Sequence, residues 1–158
     1  MSNPVALHSY LNADLIAVGA DISSPKKLFQ EMARLLAMPL NNIKEKTVYH
    51  ALLEREKLGS TGVGNGVALP HSRSPDTDQP VIAIITLEQA IDYESPDRVP
   101  VDIAVGLLVP EEATEEHLKL LASIAGIMSI DAQKKQLVAA READEIIELI
   151  CDWSSRAG

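Results

Sequence analysis

Val81-Ile82-Ala83-Ile84-Ile85-Thr86-Leu87 is nearly all apolar and rich in β-branched side chains. That composition is the mark of a strand buried on both faces. Further along, Val101-Asp102-Ile103-Ala104-Val105-Gly106-Leu107-Leu108-Val109 reads as a second buried strand, closed by Pro110. Between the two, Ala90 to Val99 reads as an irregular hairpin region around Pro96. Upstream, Val67-Ala68-Leu69-Pro70-His71 forms a short strand with Pro-His at its exit, and Ser72 to Gln79 is turn-like, carrying Pro75 and Asp76. Leu15 to Val18 is ambiguous but suits a short strand punctuated by Gly19.

Amphipathic helices surround these strands. Ser24 caps the first and Pro25 takes its opening turn, where a missing N–H is harmless. Leu28, Met32, Leu35 and Leu36 form its apolar face, and Pro39 ends it. Asn41 and Asn42 open a second helix that runs to about Leu58 and stops at Gly59. Its inward line is Val48, Leu52 and then Arg55. Thr114 caps a third helix with Leu118, Leu121, Ile124, Ala125 and Met128. Asp131 caps a shorter one through Leu137, and a last helix from about Ala143 carries Ile146, Ile147, Ile150 and Trp153. Buried strands interleaved with such helices give an α/β domain with a central sheet.

The chain has 158 residues, which suits one domain. Lys plus Arg total 14 against 23 for Asp plus Glu, a net charge of −9. A nucleic-acid binder needs the opposite balance, and five aromatic residues are too few for a base-stacking platform. The single cysteine, Cys151, excludes an internal disulfide and a thiolate cluster. It fits a reducing cytoplasm, the expected location. The first ten residues do not read as a signal peptide, and no apolar run approaches the roughly 18 residues of a membrane span. Four scattered histidines lack metal-ligand spacing, so no metal is expected.

The densest unusual feature is Gly59-Ser60-Thr61-Gly62-Val63-Gly64-Asn65-Gly66. Its glycines permit an anion-binding nest of backbone N–H groups, or simply a flexible turn. It is neither a P-loop nor a dinucleotide fingerprint, because the required residues do not follow. His71, set by Pro70 at a sheet rim, offers a ring nitrogen as base, ligand or nucleophile, unless it is a plain loop histidine. Arg55 stands where an aliphatic residue belongs, in the last turn before the glycine loop. It needs an anionic partner or a functional reason, and Glu54 and Glu56 lie on other faces of its helix. His117 shares the inward stripe of the third helix with Leu121, Ile124 and Met128. It is either a satisfied core residue or a donor to an oxyanion. A nucleophilic histidine, a second histidine, a guanidinium and a nest together suit a transient phosphoryl group.

The stretch from Arg55 to His71, Arg-Glu-Lys-Leu-Gly-Ser-Thr-Gly-Val-Gly-Asn-Gly-Val-Ala-Leu-Pro-His, resembles the signature of phosphotransferase system enzyme IIA proteins. The mannitol/fructose class is meant, and within it the nitrogen-regulatory branch. Pro100-Val101-Asp102, Leu107 to Pro110 and His117-Leu118 also fit, and the resemblance spans about Tyr10 to Trp153 of a single domain, 1–158. It implies a mixed central sheet flanked by helices. It implies that His71 accepts a phosphoryl group through Nε2 from a small histidine phosphocarrier protein, without cofactor or metal. Arg55 would stabilise the phosphoryl oxygens and His117 would hydrogen-bond nearby, with Ser60, Thr61, Gly62, Gly64, Gly66 and Ser72 as the phosphate-binding loop. With no IIB or membrane IIC segment attached, the chain looks like a stand-alone regulatory form. Such forms signal to targets such as transporters or sensor kinases. The family often has glycine where this chain has Ser72, which would take some backbone freedom and offer a hydroxyl. Arg73 reads as a solvated turn residue or a phosphate contact. The alternative reading is a regulatory binding module of the same fold that no longer undergoes phosphotransfer. A hydrolase using His71 as general base lacks a nucleophile elbow and a carboxylate pair.

Overall fold

A computed structural model describes residues 7–40, 43–112 and 115–156. After two short 3-10 turns, the elements run β1 (Ile16–Ala20), α1 (Pro25–Ala37), α2 (Glu45–Lys57), β2 (Gly62–Gly64), β3 (Val67–Ala68), β4 (His71–Ser74), β5 (Val81–Ile91), β6 (Val101–Pro110), α3 (Glu115–Met128), α4 (Asp131–Ala139) and α5 (Ala143–Arg156). One mixed sheet has the order β1-β5-β6-β3-β2, with β4 also on β6. β1 is parallel to β5, β5 antiparallel to β6, and both β3 and β4 parallel to β6.

Alternation along the two central strands feeds two cores. Val81, Ala83, Ile85 and Leu87 of β5 face α1 and α2, together with Leu28, Met32, Leu36, Val48 and Leu52. Ile82 and Ile84 face the other layer, with Leu120, Ile124, Met128, Leu137, Ile146 and Ile150 of α3 to α5. A strand rises about 3.3 Å per residue and turns its side chains to opposite faces in succession. A fully apolar run therefore serves both layers. Ser24 caps α1 as expected, accepting from the Lys27 N–H at 3.3 Å.

Several boundaries differ from the sequence reading. β5 continues to Ile91 through a register shift, so Ala90 and Ile91, read as the start of an irregular hairpin region, are strand. α2 starts at Glu45 after Lys44, which makes no side-chain cap, and Asp131 pairs with Lys135 at 3.1 Å instead of capping α4. The fully buried face of α3 includes Leu120, while Leu121 is half-buried. Asn41, Asn42, Thr114 and the side chain of Leu118 lie outside the described residues.

The most consequential difference is at residues 72–74, which continue a strand from His71 and are not a turn. Val67 pairs with Ile103 and Ala68 with Ala104; His71 then pairs with Leu107, and Ser74 with Pro110, in unbroken register. β3 and β4 are thus one strand line along β6, interrupted where Pro70 has no N–H to give. The Pro70 carbonyl still accepts the Leu107 N–H at 3.0 Å. His71 therefore lies within this line and not at its exit, so the strand period fixes the face it occupies.

Gly106 marks a close contact between the sheet and α1. A Cβ there would run into Sδ, Cγ and Cε of Met32, which is wholly buried. Gly106→Ala should lower the unfolding free energy by about 1–3 kcal/mol through overpacking, read from urea denaturation. Unchanged stability would mean that Met32 has room to move.

Candidate functional site

α2 belongs to one helical layer and α3 to the other, and β4 has β6 as its strand partner. At the open side of β4 the last turn of α2 and the first turns of α3 meet over a cleft of about 510 Å³. His71, Ser72 and Arg73 of β4, Arg55 and Leu58 of α2, and His117 and Leu121 of α3 all line it, with Leu107 and Val109 of β6. The three residues singled out from sequence, Arg55, His71 and His117, are therefore brought together.

Backbone geometry fixes the chemistry of His71. Its Nδ1 lies 2.6 Å from the Leu69 carbonyl oxygen. A carbonyl oxygen only accepts, so Nδ1 carries the hydrogen and the neutral ring keeps its lone pair on Nε2. On the same side Leu69 gives its N–H to the Thr61 carbonyl at 2.9 Å.

Arg55 is half-buried at the end of α2 and donates from Nη1 to the Gly59 carbonyl at 3.0 Å. Among the described residues it forms no ion pair. Its neighbouring carboxylates are engaged elsewhere. Glu54 takes Lys57 at 2.9 Å, a contact that pulls its exposed carboxyl below the usual range. Glu56 accepts the Thr61 N–H at 3.1 Å and the Thr61 hydroxyl at 2.6 Å. Because that hydroxyl proton goes to a carboxylate, the Tyr93 hydroxyl, 2.8 Å away, donates to Thr61. Burial pushes the Tyr93 phenol well up, so it stays a donor. Thr61 is buried, and this chain of bonds pins the loop whose Gly59 carbonyl receives Arg55. No local pattern announces it: Glu56 is an ordinary polar helix residue in sequence, and Tyr93 sits in the segment read as irregular.

The glycine-rich stretch does not form a nest at the cleft. Gly62–Gly64 and Val67–Ala68 are an antiparallel hairpin around Asn65-Gly66, both with positive φ (57° and 79°), as a tight primed turn requires. Two of its donors are already committed. The Gly62 N–H goes to Ser60 Oγ at 3.1 Å and the Asn65 N–H to Asp97 at 2.8 Å. Gly66 lets the ion pair between the nearly buried Lys134 and Asp102, 2.7 Å, lie against the backbone. Ser60, Thr61, Gly62, Gly64 and Gly66 are absent from the cleft lining; Ser72 is on it. Ser72 has no positive φ, so serine needs no glycine-like freedom there, and its hydroxyl donates to the Arg73 carbonyl at 3.2 Å.

Residues 9–153 match the family model described as phosphoenolpyruvate-dependent sugar phosphotransferase system, EIIA 2. The chain belongs to that family. It is 36% identical over 148 residues to a nitrogen regulatory protein of Pseudomonas aeruginosa, covering 94% of this chain and 96% of the relative. Another nitrogen regulatory protein, from Bradyrhizobium diazoefficiens, is 40% identical over 129 residues, or 82% of this chain and 84% of that one. The crystal structure of nitrogen regulatory protein IIA-Ntr from Neisseria meningitidis superposes with a TM-score of 0.86 at 35% identity, covering 91% and 98% of the two chains. Mannitol IIA of Escherichia coli, at 20% identity and a TM-score of 0.73 over 89% of this chain and 98% of that one, shares the fold. The mixed sheet expected from the family resemblance is the one observed. Among the described residues no helix is long and apolar enough to cross a membrane, and no three His, Cys, Asp or Glu side chains gather as a metal group.

Two outcomes test the supports. Glu56→Ala strands the buried Thr61 donors and should lower stability by about 2 kcal/mol in urea denaturation; a change too small to measure would mean water replaces the carboxylate. The N–H groups of Asn65 and Val99 hold the Asp97 carboxyl below its usual range. A lowered folded value means the stabilisation is present above the ordinary aspartate range and is lost as pH falls through the lowered value. The Asn65 amide resonance should therefore titrate with a midpoint below the ordinary aspartate range, and Asp97→Ala should remove that titration.

Proposed function

We propose that the chain is a phosphoryl carrier: Nε2 of His71 takes a phosphoryl group from a small histidine phosphocarrier protein. The state of His71 would then signal to regulatory targets such as transporters or sensor kinases. The observation that carries this reading is the 2.6 Å contact between Nδ1 and the Leu69 carbonyl, which leaves the lone pair on Nε2 of a residue lining the cleft. Membership of the phosphotransferase family supports the donor class, and relatives called nitrogen regulatory proteins support a regulatory outlet.

The transfer balances simply. Nε2 donates its lone pair to phosphorus as the donor's N–P bond breaks, and the donor nitrogen keeps that bond's electron pair. Nδ1 retains its hydrogen, so the His71 ring becomes cationic as it gains phosphorus. The Leu69 carbonyl is already placed against that developing charge, with no reorganisation needed. The transferring group spreads negative charge over three oxygens. Arg55 has donors remaining beyond the one on Gly59, since a guanidinium has five N–H groups, and it would meet those oxygens. His117 would hydrogen-bond the same group from α3. The glycine hairpin and the Glu56–Thr61–Tyr93 chain would act as supports for Arg55.

Incubation with phosphoenolpyruvate, enzyme I and the phosphocarrier should give acid-labile, base-stable phosphate on the wild type and none on His71→Ala. Full labelling of His71→Ala would assign the group to another nucleophile, and an unlabelled wild type would favour a binding module without phosphotransfer. Arg55→Ala should fold and transfer about 10- to 100-fold more slowly; unchanged kinetics would remove Arg55 from the mechanism.

A further inference from the structure

We propose that Arg73 is a second phosphoryl contact of the cleft, engaging the oxygens alongside Arg55 once His71 carries the group. The inference rests on the phosphohistidine reading above.

Three observations converge on it. First, β4 is a strand, so residues two apart share a face. Val67 and Leu69 are buried in the layer that contains α3. His71 and Arg73 continue that row, opposite Leu107 and Val109 of β6, and all four line the cleft. Same-face positions stand about 7 Å apart along a strand, a span that an extended arginine side chain covers. Second, the guanidinium is uncommitted. Its contact is a 3.5 Å approach to the Glu111 carbonyl, at the outer limit of a hydrogen bond. Among the described residues it has no ion pair. Third, the carboxylate on the cleft wall does not compete, because Glu54 is held by Lys57.

In a chain of net charge −9, two guanidinium groups without ion pairs on one cleft call for an anion brought from outside. Phosphoryl oxygens match the planar fork of arginine. Arg73 makes and breaks no covalent bond in this account. It replaces the weak carbonyl contact with charge-assisted bonds to the group on Nε2.

The test uses the full chain as wild type, Arg73→Ala and Arg73→Lys, with the phosphocarrier as donor. Removing the contact should lower kcat about tenfold and leave KM for the donor within about twofold; Arg73→Lys should recover part of the loss, because an ammonium lacks the fork. The phosphorus resonance of phosphorylated Arg73→Ala should titrate at higher pH than in the wild type, since a nearby cation favours the doubly ionised group. A merely structural role would not move that titration. If kcat and the titration match the wild type, Arg73 is not a contact and His71 stands. If the loss lies wholly in KM, Arg73 serves donor docking and the inference is overturned. If the wild type takes no label, both readings fall together. Should Arg73→Ala unfold, the lysine variant, which keeps charge and stem, decides by the same two readouts.

Discussion

The Nδ1 hydrogen of His71 is held by a carbonyl of its own strand, two residues back and 2.6 Å away. This contact couples the sheet to the chemistry of one ring. It forms because β3 and β4 keep one register along β6 while Pro70, without an N–H, breaks the ladder between them. Leu69 is then positioned to give its N–H to Thr61 and its carbonyl to the imidazole. Flipping the ring would lose that bond, so the tautomer is set by main-chain geometry and not by a neighbouring acid.

The second constraint is electrostatic. An acidic protein that offers cations to an anion must keep its own carboxylates occupied. Glu54 binds Lys57, Glu56 binds Thr61, and Asp102 binds Lys134. Each pairing also fastens an element: the end of α2, the loop after it, and α4 against β6. The interactions that order the site are thus the ones that leave Arg55 outside any ion pair among the described residues.

The two-layer α/β plan was legible because Val81 to Leu87 and Val101 to Val109 are apolar at nearly every position that faces a helix. Arg55 was legible for the complementary reason, a charge on an otherwise aliphatic helix line. His117 stood out only by spacing, which left a core role open. The strand beyond His71, at residues 72–74, was not legible. Ser-Arg-Ser has turn-like composition, and its strand state comes from pairing with β6, a contact distant in sequence. The glycine stretch misled in the same manner: Asn65-Gly66 is a hairpin signal, but the hairpin's donors go to Asp97 and Ser60, which only the folded arrangement reveals. Glu56 and Tyr93 carry no pattern at all, because their partnership joins a helix end to a segment after β5.

The most direct test of the central claim is nitrogen NMR of the protein labelled in its histidine rings, before and after phosphorylation. The account predicts a His71 ring with hydrogen on Nδ1 at rest, and a nitrogen–phosphorus coupling at Nε2 of the same ring after transfer. Phosphorus on Nδ1 of His71, or on the His117 ring, would contradict it.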